Sequence, residues 1–176
     1  MDKNQILEIL NDWNFWGKEL DTGITREGYL DLCLRFLKPN VALAIIGVRR
    51  SGKSCLMKQL AKELIKKGVD KKDILFINFE DKRFTDVDNK FLQRIYDVYL
   101  EQIKPKNKPY LFLDEINKVP EWERFVRTFH ELNNAKIIVS GSSAKLLRGE
   151  LATVLTGRHL DIVVFPLSFK EYLYFK

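Results

Sequence analysis

Gly47, Gly52, Lys53 and Ser54 stand at the spacing G-x-x-x-x-G-K-[ST] in "GVRRSGKS", and residues of these types at that spacing cradle phosphate. Glycine lets the backbone turn so that successive N–H groups face one centre, where they meet phosphate oxygens. Lys53 brings a point charge to the β and γ phosphates, and Ser54 brings a hydroxyl for Mg2+. The helix that begins here adds the positive end of its dipole. The run Gly47, Val48, Arg49, Arg50, Ser51, Gly52, Lys53, Ser54 and Cys55 is therefore the expected nucleotide-contacting segment. A phosphate loop requires neither Arg49 nor Arg50. One facing phosphate and the other facing solvent is compatible with it.

The second chemical element is "PYLFLDEI". Four largely apolar residues carry Asp114 to the end of a strand, and Glu115 follows at once. A lone Asp in this place commonly forms a cap or a turn. Beside a phosphate loop it is the group expected to hold Mg2+ through water. Glu115 separates two kinds of phosphoryl chemistry: a kinase activates a substrate hydroxyl, whereas a hydrolase needs a base that orients water against the γ-phosphate. The adjacent acidic pair favours hydrolysis.

These groups work only if strands and helices bring them together. Strand-like apolar runs fall at 41–47, 74–79, 110–114, 136–140 and 160–165. Helical patterns lie between them at 53–67, 88–103 and 120–133, the last opened by Pro120 and Glu121. Two amphipathic helices precede the first strand. One presents Ile6, Leu10 and Trp13; the other presents Tyr29, Leu30, Cys33, Leu34 and Leu37 and is stopped by Pro39. Near-continuous apolar strands separated by helices predict an α/β fold with a parallel sheet covered on both faces. Ligands of such sheets bind at the carboxyl ends of the strands, where Gly47 and Asp114 fall. Residues 1–40 are expected to pack as a helical segment on a core formed by 41–176.

The 176 residues suffice for one domain with a real core. A hydrophobic share of 45% and a charged share of 31% fit a soluble globular chain. No run approaches the roughly eighteen apolar residues of a membrane span, and "MDKNQILEIL" does not read as a signal peptide. Cys33 and Cys55 form no metal-like cluster, which points to reduced thiols and a cytoplasmic protein. The net charge of +6 comes from scattered lysines, a solvated basic surface more than a nucleic-acid stripe. Trp13, Phe15 and Trp16 in "WNFWG" read as core rather than a base-stacking platform. The chain closes on "FPLSFKEYLYFK", where Phe169, Tyr172, Leu173 and Phe175 begin an apolar helical face. That ending suggests the front part of a longer protein.

Taken together, "GVRRSGKS", "LFLDEI", "VSGSS" and "LTGRHLDIVVFPLSFKEY" resemble the AAA+ ATPases, most closely a prokaryotic, largely archaeal group with GVRRxGK[ST] loops. The resemblance runs from about Trp13 to the end of the chain. It implies a P-loop NTPase fold with the sheet order 5-1-4-3-2, ATP with Mg2+ as cofactors, and a lid and C-terminal region beyond this segment. It assigns a γ-phosphate sensor to Ser140 or Ser142 and an arginine finger, in cis or in trans, to Arg158. It also implies adenine contacts from Gly23, Ile24 and Thr25, and a homo-oligomer if Arg158 serves a neighbour. The leading function is then ATP hydrolysis that moves an attached domain, a protein or DNA. A slowly hydrolysing nucleotide switch is the alternative, and a small-molecule kinase fits less well because no substrate motif is visible.

Overall fold

A computed structural model describes residues 1–37, 41–85, 87–142 and 158–175. Its centre is five strands: β1 (Ala42–Ile46), β2 (Ile74–Asn78), β3 (Tyr110–Asp114), β4 (Lys136–Gly141) and β5 (His159–Val163). All pairings are parallel, in the order β2-β3-β4-β1-β5. This is the expected 5-1-4-3-2 order, read from the other edge.

The apolar runs conceal a period of two. Leu43, Ile45, Phe76, Phe112 and Ile138 pack on one side with Leu56, Met57 and Leu60 of α3 (Lys53–Lys66) and with Cys33 of α2 (Glu27–Phe36). Ala44, Ile46, Leu75, Ile77, Leu111, Leu113 and Val139 pack on the other side. There they meet α1 (Lys3–Trp13), α4 (Asn89–Ile103) and α5 (Trp122–Glu131). Two helical layers therefore cover the sheet, and this is why the strands need no polar face. Both cysteines are free; burial pushes the Cys33 thiol up to about 12.

Local sequence sets where the helices begin. Asp2 and Gln5 form a reciprocal cap on α1, with the Gln5 N–H donating to Asp2 Oδ1 at 2.8 Å and the Asp2 N–H donating to Gln5 Oε1 at 2.9 Å. The helix expected over 120–133 is shorter and spans Trp122–Glu131. Glu121 lies in the left-handed region at φ 55°, so the chain is still turning there and neither Pro120 nor Glu121 is helical. The Pro39 stop lies outside the described residues. The last helix, α6 (Phe169–Tyr174), has no buried residue, and its Phe169 is 77% exposed. Among the described residues no helix is long and apolar enough to cross a membrane.

The outer edge of β2 is closed by side chains just after α1. The Phe76 N–H donates to Asn14 Oδ1 at 2.7 Å, and Asn14 Nδ2 donates to the Phe76 carbonyl at 2.9 Å. Trp16 Nε1 donates to the Ile74 carbonyl at 2.9 Å. Asn14 thus does for one residue of β2 what a neighbouring strand would do, while Phe15 enters the core.

Register brings the strand ends level. Ile46 pairs with Gly141, Leu113 with Val139, and Asn78 with Asp114. Gly47, Asp114 and Ser140 therefore meet at one edge of the sheet.

Candidate functional site

Gly47 leaves β1 where the backbone of Val164 crosses it, the Val164 N–H donating to the Ile46 carbonyl at 2.7 Å. A Cβ on Gly47 would collide with the Val164 carbonyl and lie 2.9 Å from Ser51 Oγ. Only glycine fits this approach. Gly52, at φ 95°, turns the chain into α3. Lys53, the first residue of α3, is buried with its charge: Nζ lies 3.1 Å from Glu115 Oε1 and donates to the Val48 carbonyl at 3.3 Å. Arg49 points outward, 3.6 Å from Glu80. Arg50 sits at φ 66° on the crest of the loop.

Asp114 is fully buried at the end of β3. Ser140, opposite it on β4, donates its hydroxyl proton to Asp114 Oδ1, and the same hydroxyl accepts the Glu115 N–H at 2.9 Å. Glu115 adopts φ 53°, a left-handed conformation that costs a residue with a β-carbon on the order of 1–3 kcal/mol. That turn directs its carboxylate toward Lys53 on one side and Ser142 on the other. Ser142 donates to Glu115 Oε2 from both its N–H, at 3.1 Å, and its hydroxyl, at 2.9 Å. Of the two serines expected at this strand end, Ser140 holds Asp114 and Ser142 holds Glu115. Ser140 is fully buried with its hydroxyl engaged twice, so it braces the acidic pair from below.

Burial raises the Asp114 carboxyl above the ordinary carboxylate range, and the neighbouring Glu115 adds to this. The hydroxyls of Ser140 and Ser54 and the charge of Lys53 oppose the shift. Asp114 Oδ2 is buried and accepts no hydrogen bond of ordinary geometry, although the Ser54 hydroxyl stands near the carboxyl. A carboxylate oxygen in that condition, next to the Ser54 hydroxyl, suits a cation better than any protein donor present. Among the described residues no three acidic, His or Cys side chains cluster as a metal cage.

Beside the loop lies a cavity of about 280 Å³, lined by Gly23 and Ile24 on one wall and by Arg50, Ser51, Gly52 and Cys55 on the other. Gln59 of α3 fixes the first wall. Its Nε2 donates to the carbonyls of Thr22 and Ile24 at 2.9 Å each, and its Oε1 accepts the Arg26 N–H at 3.5 Å. Thr25, expected at this place, is not among the residues lining the cavity. The chain turns between Ile24 and Arg26, and Thr25 lines neighbouring cavities instead.

Arg158 is not brought to this cluster. Its carbonyl accepts the Ala42 N–H at 3.1 Å, which places it at the amino end of β5 beside the start of β1. The phosphate loop leaves the carboxyl end of β1, about 15 Å away at ~3.3 Å per residue. In this structure Arg158 therefore stands away from the loop of its own chain. The "LTG" that precedes Arg158 lies outside the described residues.

Arg26 carries no sequence signal as a site residue, whereas "NFEDKRF" places Glu80, Asp81 and Arg83 at the catalytic edge without a role. Arg26 donates to the Ser51 carbonyl at 3.0 Å and pairs with Glu171 at 2.8 Å. Asp81, in "NFEDKRF", accepts from Arg83 Nη2 at 2.7 Å and from Trp13 Nε1 at 2.8 Å, while Arg83 reaches Asp12 at 2.8 Å. The Arg83 guanidinium holds the Asp81 carboxyl well below the usual carboxylate range. This network ties α1 to the turn that carries Glu80 toward Arg49. Apart from Asp81 and Arg83, these partners lie 25 to 145 residues apart and leave no periodic trace.

The chain is 39% identical over 154 residues to an uncharacterized protein of Haemophilus influenzae, spanning 87% of this chain and 38% of that protein. It is 39% identical over 140 residues to an uncharacterized protein of Methanocaldococcus jannaschii, spanning 80% of this chain and 30% of that one. These relatives come from a bacterium and an archaeon, and the chain spans about a third of their length. A solved structure of Saccharomyces cerevisiae Hsp104 in complex with casein shares the fold, with a TM-score of 0.59 at 16% identity over 98% of this chain and 31% of that one. The sequence pattern of the AAA domain family matches residues 39–173, well over half of the 176, and the chain belongs to that family.

Proposed function

We propose that this chain is an ATP-hydrolysing AAA+ module whose nucleotide state moves an attached region or a partner. The observation that carries the reading is the convergence of Lys53, Ser54, Asp114 and Glu115 at one sheet edge, beside a cavity that opens onto the loop. In this reading adenine lies against Gly23 and Ile24, and the triphosphate follows the loop N–H groups toward Lys53. Ser54 and Asp114 would hold Mg2+, which when bound neutralises charge on the β and γ oxygens. Glu115 accepts a proton from the attacking water while Ser142 keeps its carboxylate in line. Ser140 fixes the Asp114 carboxyl. Cytoplasm is the compartment this chemistry suits.

Direct measurement of phosphate release tests the reading. Mg-ATP should be converted to ADP and inorganic phosphate with no added acceptor. Release that appears only with a hydroxyl compound, which itself gains the phosphoryl group, would make the chain a kinase instead.

A slow switch is the second reading, and the Lys53–Glu115 contact at 3.1 Å favours it. That ion pair engages both the phosphate lysine and the base, so hydrolysis requires it to open. The position of Arg158 at the amino end of β5 favours a finger that serves a neighbouring copy over one that acts in cis. Turnover per chain should then rise with protein concentration, and a flat profile would leave Arg158 without that role. A protein or DNA client would be what the moving region acts on.

A further inference from the structure

The guanidinium of Arg26 is a buried charge, its side chain 8% exposed, where three segments distant in sequence meet. Its Nη1 donates to the Ser51 carbonyl of the phosphate loop at 3.0 Å and to the Phe165 carbonyl after β5 at 2.8 Å. Its Nε and Nη2 donate to the two oxygens of Glu171 at 2.8 and 3.1 Å. The Tyr29 ring lies 4.4 Å from Cζ, and the Tyr29 hydroxyl accepts the Phe165 N–H at 3.2 Å. Glu171 is itself fixed at the start of α6, accepting the Ser168 N–H at 2.8 Å and donating its own N–H to Ser168 Oγ at 3.2 Å. A buried arginine is costly unless every donor finds a partner. Here the planar fork serves the carboxylate and two carbonyls at once, a task that the point charge of lysine cannot perform.

We propose that Arg26 is a positioning residue for the phosphate loop, and that Glu171 is the handle through which the place of α6 reaches that loop. The proposal rests on the reading of the loop as a nucleotide site. Its physical basis is the trans peptide between Ser51 and Gly52. In a planar trans unit the C=O and the N–H point in opposite directions. Holding the Ser51 carbonyl on Arg26 therefore turns the Gly52 N–H away from Arg26, as one of the loop donors. Gly52 has no side chain and lies at φ 95°, so little else restrains that peptide from flipping. Arg26 also stands between the cavity beside the loop and a larger one, about 590 Å³, between α2 and α6. A shift of α6 moves the carboxylate, the guanidinium follows, and the loop peptide loses its anchor. By reciprocity, nucleotide on the loop restrains α6.

The test is Glu171→Gln in the full 176-residue chain, with two readouts. Amide hydrogen exchange without nucleotide should quicken about tenfold at Gly52 and Lys53, the loss of one charge-assisted bond, while the amides of β1 keep their rates. With Mg-ATP, KM should rise about tenfold with kcat unchanged, because the loop is misplaced and the base is not. Arg26→Lys should reproduce both effects, and Arg26→Ala with Glu171→Ala should be no worse than Arg26→Ala alone. Ser168→Ala, which removes only the cap on α6, should give the same changes at smaller size and serves if the charged variants fold poorly. Loop exchange in Glu171→Gln equal to that of the parent would overturn the proposal. Failure of the parent chain to bind Mg-ATP would instead sink the nucleotide reading, while the exchange comparison would still decide whether α6 positions the loop.

Discussion

Replacing Glu115 with glutamine is expected to leave Mg-ATP bound and to lower steady-state hydrolysis about a hundredfold or more. The amide has the shape of the carboxylate. Its oxygen can still accept from the Ser142 N–H and hydroxyl, which hold Glu115 at 3.1 and 2.9 Å. What it cannot do is take a proton from water. The same change removes the charge that pairs with Lys53 at 3.1 Å, so the lysine becomes freer for phosphate and affinity should hold or tighten. Calorimetry with Mg-ATP beside a phosphate-release assay separates the two effects. Parent-like turnover in this variant would make Glu115 a structural partner of Lys53 and remove it from the chemistry.

Lys53→Ala should abolish measurable Mg-ATP binding, since Lys53 is the residue expected to place its charge on the β and γ phosphates. It should also weaken the fold. Lys53 and Glu115 are 4% and 7% exposed, and removing one member of a buried pair leaves the other uncompensated, at about 3–5 kcal/mol. Chemical denaturation would record that loss. Adding Glu115→Gln to Lys53→Ala should recover most of the stability but none of the binding. That pattern distinguishes a lost ligand contact from a damaged protein. Unchanged ATP affinity in Lys53→Ala would contradict the site as drawn.

Much of the fold was legible because the determining signals are local. "GVRRSGKS" specifies a backbone path through glycines, and "LFLDEI" carries its acids to the end of a buried strand. The end of β1 and the end of β3 then meet because parallel strands share one carboxyl edge. The same rule was available for Arg158: a residue that precedes its strand lies at the amino edge, away from the loop. Arg26 and Gln59 were not legible. Gln59 reaches back 35 residues to Ile24, and Arg26 reaches forward 145 to Glu171. Neither distance has a period, and a lone arginine before a helix reads as a surface charge. Thr25 does not line the cavity that its neighbour Ile24 lines, because a local turn takes it away.

The closure of β2 by Asn14 and Trp16 has a consequence for solubility. One amide and one indole stand where a sixth strand could pair, so the outermost donors and acceptors of the sheet depend on α1 remaining docked. If α1 peels away, the carbonyls of Ile74 and Phe76 and the Phe76 N–H become a bare template along an apolar strand. Another extended segment, from the same chain or from a second one, can add there. The first sixteen residues would then act as a built-in guard against sheet growth. A chain trimmed of them should form particles whose size grows with concentration in light scattering, and a trimmed chain that stays monodisperse would show the edge to be protected in some other way.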